Sequence, residues 1–379
     1  MVNAEENQID YSLANPDTLT KYKLAGEISG KVLEQVKALC VDGAVILEVC
    51  KAGDEALEAE IAKVYKGKKV LKGVAFPTSL AVNNIAAHVS PYPSDADAAA
   101  ALAAGDVVKI SLGAHIDGFA GIVADSVVVG GGEVAGAVAD AFHAAWLASE
   151  AAIRLVQPAG TNWAVTDAVD KVAAAFGVKP VEDMLSHQQK RNAIDEEKRI
   201  ILNPSEGKKK SADCTFEEGE VYGIDILIST GEGKVKPTEA RTTIYKKTAT
   251  TYDLKLKASR AIMVEINHKF GAFPFTLRNL EDEKKALMGI QECKQRGLLA
   301  PYDVLAEKKG QTIVQFYTTI AVTKNGIVKI SGPAVPELAK FKTEKKLEDK
   351  DLLNLIAKSL KPSSKNKKKK AAKAEAPAA

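Results

Sequence analysis

GDVVKISLGAHIDGFAGIVADSVVVGG, residues 105–131, sets the reading of the whole chain. Apolar residues recur at every second position on both sides of Asp117-Gly118, and glycines punctuate the middle. That pattern predicts a strand, a tight turn and a second strand. The opening of this stretch has an echo further on. Gly105-Asp106-Val107-Val108-Lys109-Ile110-Ser111 matches Gly219-Glu220-Val221-Tyr222-Gly223-Ile224-Asp225. Each reads glycine, acid, valine, two variable positions, isoleucine and a short polar side chain. Two strands entered from tight turns would aim Ser111 and Asp225 at a shared centre. A duplicated α/β half folded about a pseudo-two-fold axis explains the echo; a common way of entering a strand is the plainer alternative.

Working outward, Asn15-Pro16 predicts a helix start, with a side-chain cap followed by proline in the first turn. Residues 54–66 read as a second amphipathic helix, and 72–90 as a proline-interrupted strand or loop. An alanine-rich helix fills 133–156, and Thr161 caps another that runs to Phe176-Gly177. Strands are expected over 221–228, 241–245 and 312–323. Residues 276–296 read as mostly helical and 347–359 as a short helix. Order is expected to end after Pro362.

The 379 residues are 46% hydrophobic, ample for a large core, and the length allows roughly two or three domains. Cys40, Cys50, Cys214 and Cys293 show no ligand-like spacing and suit a reducing compartment. The acidic, polar first residues do not read as a signal peptide. No apolar run approaches the ~20 residues of a membrane span. These features predict no membrane partner and a location in cytoplasm and nucleus or nucleolus. The net charge of +3 is unevenly spread. Residues 358–373 hold eight lysines and no acid, so the remainder carries 3 − 8 = −5. Like-charge blocks repel themselves and seek polyanions.

Several landmarks in order resemble the pita-bread fold of the creatinase and aminopeptidase superfamily. They are Phe76-Pro77-Thr78-Ser79, Val82-Asn83-Asn84, Ala87-His88, the 109–125 hairpin, Ser186-His187, Gly219-Glu220-Val221-Tyr222, Ser229-Thr230-Gly231 and Gln315-Phe316. The segment between Lys257 and Pro301 resembles the helical insert of the type-2 methionine aminopeptidases. The fold class expected from this resemblance is α/β (α+β), with pseudo-two-fold halves and that insert. The corresponding divisions are an extension over 1–19, a core over 20–256, the insert over 257–305, completion of the core over 306–345, and a helix with a lysine-rich tail over 346–379. The surroundings of His187, Gly231-Glu232-Gly233-Lys234, Arg241-Thr242-Thr243-Ile244-Tyr245-Lys246 and Pro274-Phe275-Thr276-Leu277-Arg278 resemble the proliferation-associated, curved-DNA-binding branch. That resemblance implies the aminopeptidase fold without its activity. It also implies association with the large ribosomal subunit, ribosomal RNA and other nucleic acids, with roles in ribosome biogenesis, translation or growth control.

A dinuclear aminopeptidase site needs carboxylates and imidazole to hold two cations and activate a bridging water. The resemblance maps the five ligand positions onto Ser111, Ile122, His187, Asp225 and Tyr317. Only His187 and Asp225 are plausible ligands, so neither a catalytic residue, a metal nor any other cofactor is expected. Asp117 falls in the turn, and alternation puts Asp125 on the opposite strand face. His88 and His115 look like the family's pocket histidines. They read either as part of a retained substrate groove or as histidines hydrogen-bonded inside a polar cavity. His187 is the expected partner of Asp225. The rival reading is an active metallo-aminopeptidase with a reorganised site.

Lys365, Lys367, Lys368, Lys369 and Lys370 stand in a tail without aromatics or arginines. Such a segment supplies phosphate contacts only, salt-sensitive and nearly sequence-blind. A solubilising terminus is the plainer reading. Lys190-Arg191, Lys198-Arg199 and Lys208-Lys209-Lys210 form an internal basic stretch, and the insert adds Arg260, Lys269, Arg278, Lys284 and Lys285. Some of these charges follow acids at helix-pair spacing. Structured RNA, and curved DNA read by shape, suit such a surface. Protein partners are expected beside the nucleic acid. A soluble adaptor, in which nucleic-acid binding is incidental, is a third reading.

Overall fold

The computed structural model describes residues 10–208 and 213–361, and the side chains of residues 208, 283 and 284 lie outside that description. Helix α1 (Pro16–Leu39) starts as its sequence predicts, with Asn15 Oδ1 accepting the Asp17 amide 3.0 Å away. Helix α2 (Ile46–Lys63) begins at Ile46 and not at residue 54. Val45 at its N-cap offers no side-chain bond, so no punctuation announces the start. Asp54 is mid-helix and buried.

Both helices pack on β1 (Lys72–Val82), β2 (Val107–Ile116) and β3 (Phe119–Val128). Strands β2 and β3 are the predicted hairpin, antiparallel from Val107↔Val128 to Ile116↔Phe119. Val32, Leu33, Leu57, Leu80, Ile110 and Leu112 form the core of this half. Each such side chain contributes roughly 1.5–3 kcal/mol by leaving water.

The second half repeats the arrangement. Helix α3 (Ala137–Leu155) packs with α4 (Asn162–Ala175), which is capped by Thr161 as predicted. They cover β4 (Leu185–Gln189), β5 (Arg199–Ile201) and β6 (Val221–Ser229) around Phe142, Trp146, Val169, Ile224 and Ile226. Strand β7 (Ile244–Lys247) then leads to α5 (Lys257–Lys269), α6 (Glu283–Gln295) and β8 (Leu299–Tyr302). These elements share a small core of their own around Tyr245, Ile262, Ile266, Cys293 and Leu299. Between α5 and α6 lie a short strand at Phe275–Thr276 and a 3-10 turn at Leu277–Asn279, and with α6 they leave residues 276–296 mostly helical, as expected.

Strands β9 (Ile313–Thr323) and β10 (Gly326–Ser331) and helix α7 (Lys350–Ala357) complete the chain. The main sheet runs β1-β2-β3-β9-β6-β4-β5, antiparallel throughout, with β10 on β9. Strand β9 is the seam between the halves. Tyr317 lies opposite both Ala124 of β3 and Asp225 of β6. This is the expected mixed α/β pita-bread architecture, and its halves meet where the two echo sequences end. No helix among the described residues is long and apolar enough to cross a membrane.

Candidate functional site

Helices cover one face of the sheet; the other face opens into a cavity of about 620 Å³. Strand alternation brings residues from five strands to it. Ser111 comes from β2, Ile122 from β3, His187 from β4, Asp225 from β6, and Gln315 with Tyr317 from β9. His88, Phe76, Lys246 and Tyr302 close the sides. The echo positions Ser111 and Asp225 thus share one chamber. His115 does not line it: its ring stacks on Phe273 with centroids 4.2 Å apart.

Three of the mapped positions hold neutral side chains that fill space. The Cγ1 of Ile122 lies 2.8 Å from where Gly113 would carry a Cβ. The ring of Tyr317 lies over Gly223, and its hydroxyl is 1.7 Å from the Cβ position there. Only glycine leaves room for that phenol. Tyr317 Oη accepts a bond from Gln189 Nε2 at 3.0 Å, and burial pushes the phenol far above its ordinary pKa. Tyr317 therefore stays protonated.

Gln315 supplies the contact that sequence reasoning missed. Its Nε2 donates to Asp225 Oδ1 at 2.7 Å, and its Oε1 accepts from Ser111 Oγ at 3.4 Å. One amide joins the halves at the positions where the echo ends. Its spacing of two from Tyr317 on a strand places both on one face, and that signal was available in the sequence. The expected His187–Asp225 pair is therefore corrected: Asp225 is held by Gln315. His187 Nδ1 is buried without a hydrogen-bond partner among the described residues. Burial raises the Asp225 carboxyl to about 7, opposed by the Gln315 bond. Burial lowers His187, and it lowers His88 to about 4, with the His88 ring set edge-on to Tyr302 at 5.0 Å. At the mouth Lys246 pairs with Asp195.

These residues do not fit a dinuclear metal centre. One imidazole and one amide-bound carboxyl leave three ligand positions to a hydroxyl, an alkyl group and a protonated phenol. Asp117 and Asp125 do not help. Asp117 sits in the β2–β3 turn, bound to Lys21 and Arg191. Asp125 points to the helical face, where Lys37 pairs with it at 2.7 Å. Among the described residues no cluster of three or more His, Cys, Asp or Glu is placed to hold a metal ion.

The predicted basic surface is largely neutralised from within. Arg278 is not at the surface: its side chain is 4% exposed and its Nη2 lies 2.5 Å from Asp54 Oδ2. It also donates to Ser90 Oγ and to the Thr78 carbonyl, tying the segment before α6 to α2 and β1. It stands in the 3-10 turn itself, directly after the buried Leu277, which turns its side chain inward. Arg260 donates to the carbonyls of Leu254 and Lys255, closing the turn before α5. Lys269 pairs with Glu265 and Glu281, and Lys285 with Asp282. Lys190 pairs with Glu196, Arg191 with Asp117, and Lys198 with Glu217 and Glu220. Lys209, Lys210, Lys365, Lys367, Lys368, Lys369 and Lys370 lie outside the described residues, as does the side chain of Lys208.

Comparison with known proteins agrees with this architecture. The profile of metallopeptidase family M24 matches residues 20–239. A curved DNA-binding protein of Schizosaccharomyces pombe is 51% identical over 366 residues, covering 96% of each chain. An ERBB-3 binding protein 1 of Arabidopsis thaliana is 43% identical over 357 residues, covering 93% of this chain and 89% of its own. The solved structure of a thermophilic Arx1 superposes with a TM-score of 0.88 at 38% identity, covering 92% of this chain and all of that one.

Proposed function

We propose that this chain, which belongs to metallopeptidase family M24, works as a binding protein and not as a peptidase. One observation carries the reading. The cavity that aligns five strands is walled by Ser111, Ile122 and Tyr317 where a metal pair needs oxygen anions, and Gln315 occupies Asp225. A water in this cavity has nothing to lower its pKa toward neutrality.

The work left to the molecule is recognition. Its partners on this reading are ribosomal particles and structured RNA or curved DNA, in nucleus and cytoplasm. Two features support it. A relative that matches nearly the whole chain is named for binding curved DNA. The lysines of residues 358–373 add concentrated positive charge to a chain whose remainder carries a net −5. Phosphate contacts of this kind fix position without reading sequence.

Two measurements on the full chain test the proposal. The purified protein, supplied with cobalt, manganese or zinc, is expected to release no N-terminal methionine from peptides. Its affinity for an RNA stem-loop is expected to fall linearly in log–log form with salt. Metal-dependent turnover would overturn the first half in favour of an active aminopeptidase. Salt-independent binding, or none, would overturn the second and leave a protein adaptor.

A further inference from the structure

Three exposed lysines fall within four residues of a single loop. Lys66, Lys68 and Lys69 are exposed in the loop between α2 and β1, and no carboxylate among the described residues lies within ion-pair distance of them. The loop is ordered. Tyr65 takes a φ of 47° and Gly67 a φ of 71°, and the Lys68 amide donates to the Tyr65 carbonyl at 3.2 Å. Lys72 Nζ anchors its start by donating to the carbonyls of Ile61 and Val64, at 3.1 and 2.6 Å. The Leu71 carbonyl accepts the Asp117 amide at 2.5 Å, which fixes its far end to the β2–β3 turn. Lys68 Nζ rests 5.7 Å from the Tyr65 ring centroid.

The anchor at Lys72 has an electrostatic effect. The C-terminus of α2 presents partial negative charge, which repels an anion. A lysine on the last carbonyls cancels that field beside the exposed three. The loop offers three long, exposed cationic arms on a backbone fixed at both ends. That form suits successive phosphates along a chain.

Resting on the nucleic-acid reading above, we propose that the Lys66–Lys69 loop is a contact surface for the phosphodiester backbone of a nucleic acid. The loop supplies a contact on the body whose backbone is fixed at both ends.

The test compares the full chain with Lys66→Gln/Lys68→Gln/Lys69→Gln and with Lys66→Arg/Lys68→Arg/Lys69→Arg. The probes are an RNA stem-loop and a DNA duplex of equal length, titrated at about 50 and 200 mM salt. Each phosphate contact contributes about 0.9 to the log–log slope, so three contacts across a fourfold salt range amount to 4 raised to about 2.7, roughly 40-fold. The glutamine variant is expected to lose about that much of the parent's salt sensitivity on the probe the parent prefers, and the arginine variant to keep it. The two probes show whether RNA or DNA is the source of the phosphates. The substituted residues are exposed, so unchanged melting temperatures are expected and are measured alongside. A parent that binds while the glutamine variant matches it in affinity and slope overturns the loop and leaves the general reading standing. A parent that binds neither probe at low salt overturns the general reading and the loop with it.

Discussion

Replacing Asp225 by asparagine removes a titration and leaves the shape of the site. The folded protein holds this carboxyl at about 7 by burial, against an ordinary value of 3.8. Between those two values the folded state keeps a proton that the unfolded state releases. Stability from this group is therefore complete below about 3.8 and is lost as pH rises through about 7. Integrating the difference in bound protons from pH 5 to 7.5 gives roughly 1.9 proton–pH units, or about 2.5 kcal/mol. The asparagine variant lacks this slope, and its amide oxygen still accepts the Gln315 bond. Relative to the parent it is expected to gain about 2.5 kcal/mol of stability between pH 5 and 7.5. Urea denaturation of both proteins at pH 5, 6, 7 and 7.5 measures the difference. Taking the difference removes the opposing slopes from His88 and His187, which both chains share. A parent-minus-variant difference that is flat over this range would refute the account of Asp225 as a carboxyl kept neutral by burial.

Three further outcomes are expected. Gly223→Ala forces its new methyl into the Tyr317 phenol and costs about 1–3 kcal/mol. In a Tyr317→Ala background, where the remaining close neighbour is the end of the Gln189 side chain, the same change is expected to cost clearly less, and additive costs in a denaturation cycle would contradict the contact. Arg278→Ala strands Asp54 in the core and is expected to cost about 3–5 kcal/mol by chemical denaturation, without changing the salt slope of nucleic-acid binding. A changed slope with intact stability would return Arg278 to the surface. Ser111→Asp/Ile122→Asp/Tyr317→Glu is expected to show a rise in melting temperature on adding millimolar manganese that the parent lacks. An equal rise in the parent would show that His187 and Asp225 suffice to hold the ion.

Much of the frame was legible because local signals and global packing agree. Asn15-Pro16 and Thr161 announce helices that the fold keeps. The alternation of residues 107–128 fixes both strands of the hairpin and turns Asp125 away from the cavity. The echo located the centre, since Ser111 and Asp225 do line one chamber. What was not legible depends on partners far apart in sequence. Asp54 and Arg278 are 224 positions apart, and nothing near either residue reveals a buried pair. Arg278 therefore read as a surface cation. Imidazole and carboxylate attract, so the sequence suggests His187 as the partner of Asp225. The register of β9 against β6 instead carries Gln315 to it. Val45 is silent as a cap, so nothing in the sequence marks the start of α2.

The phenol lodged over Gly223 also acts as a ratchet. Putting a carboxylate at position 317 alone would empty the space above that glycine and set a second acid beside Asp225 with no cation between them. That single step loses packing and adds repulsion before any ion arrives to offset either. On the reading of this chain as a binding protein, a cavity able to hold a metal pair is several exchanges away from this sequence, and the exchange at position 317 is unfavourable when made alone.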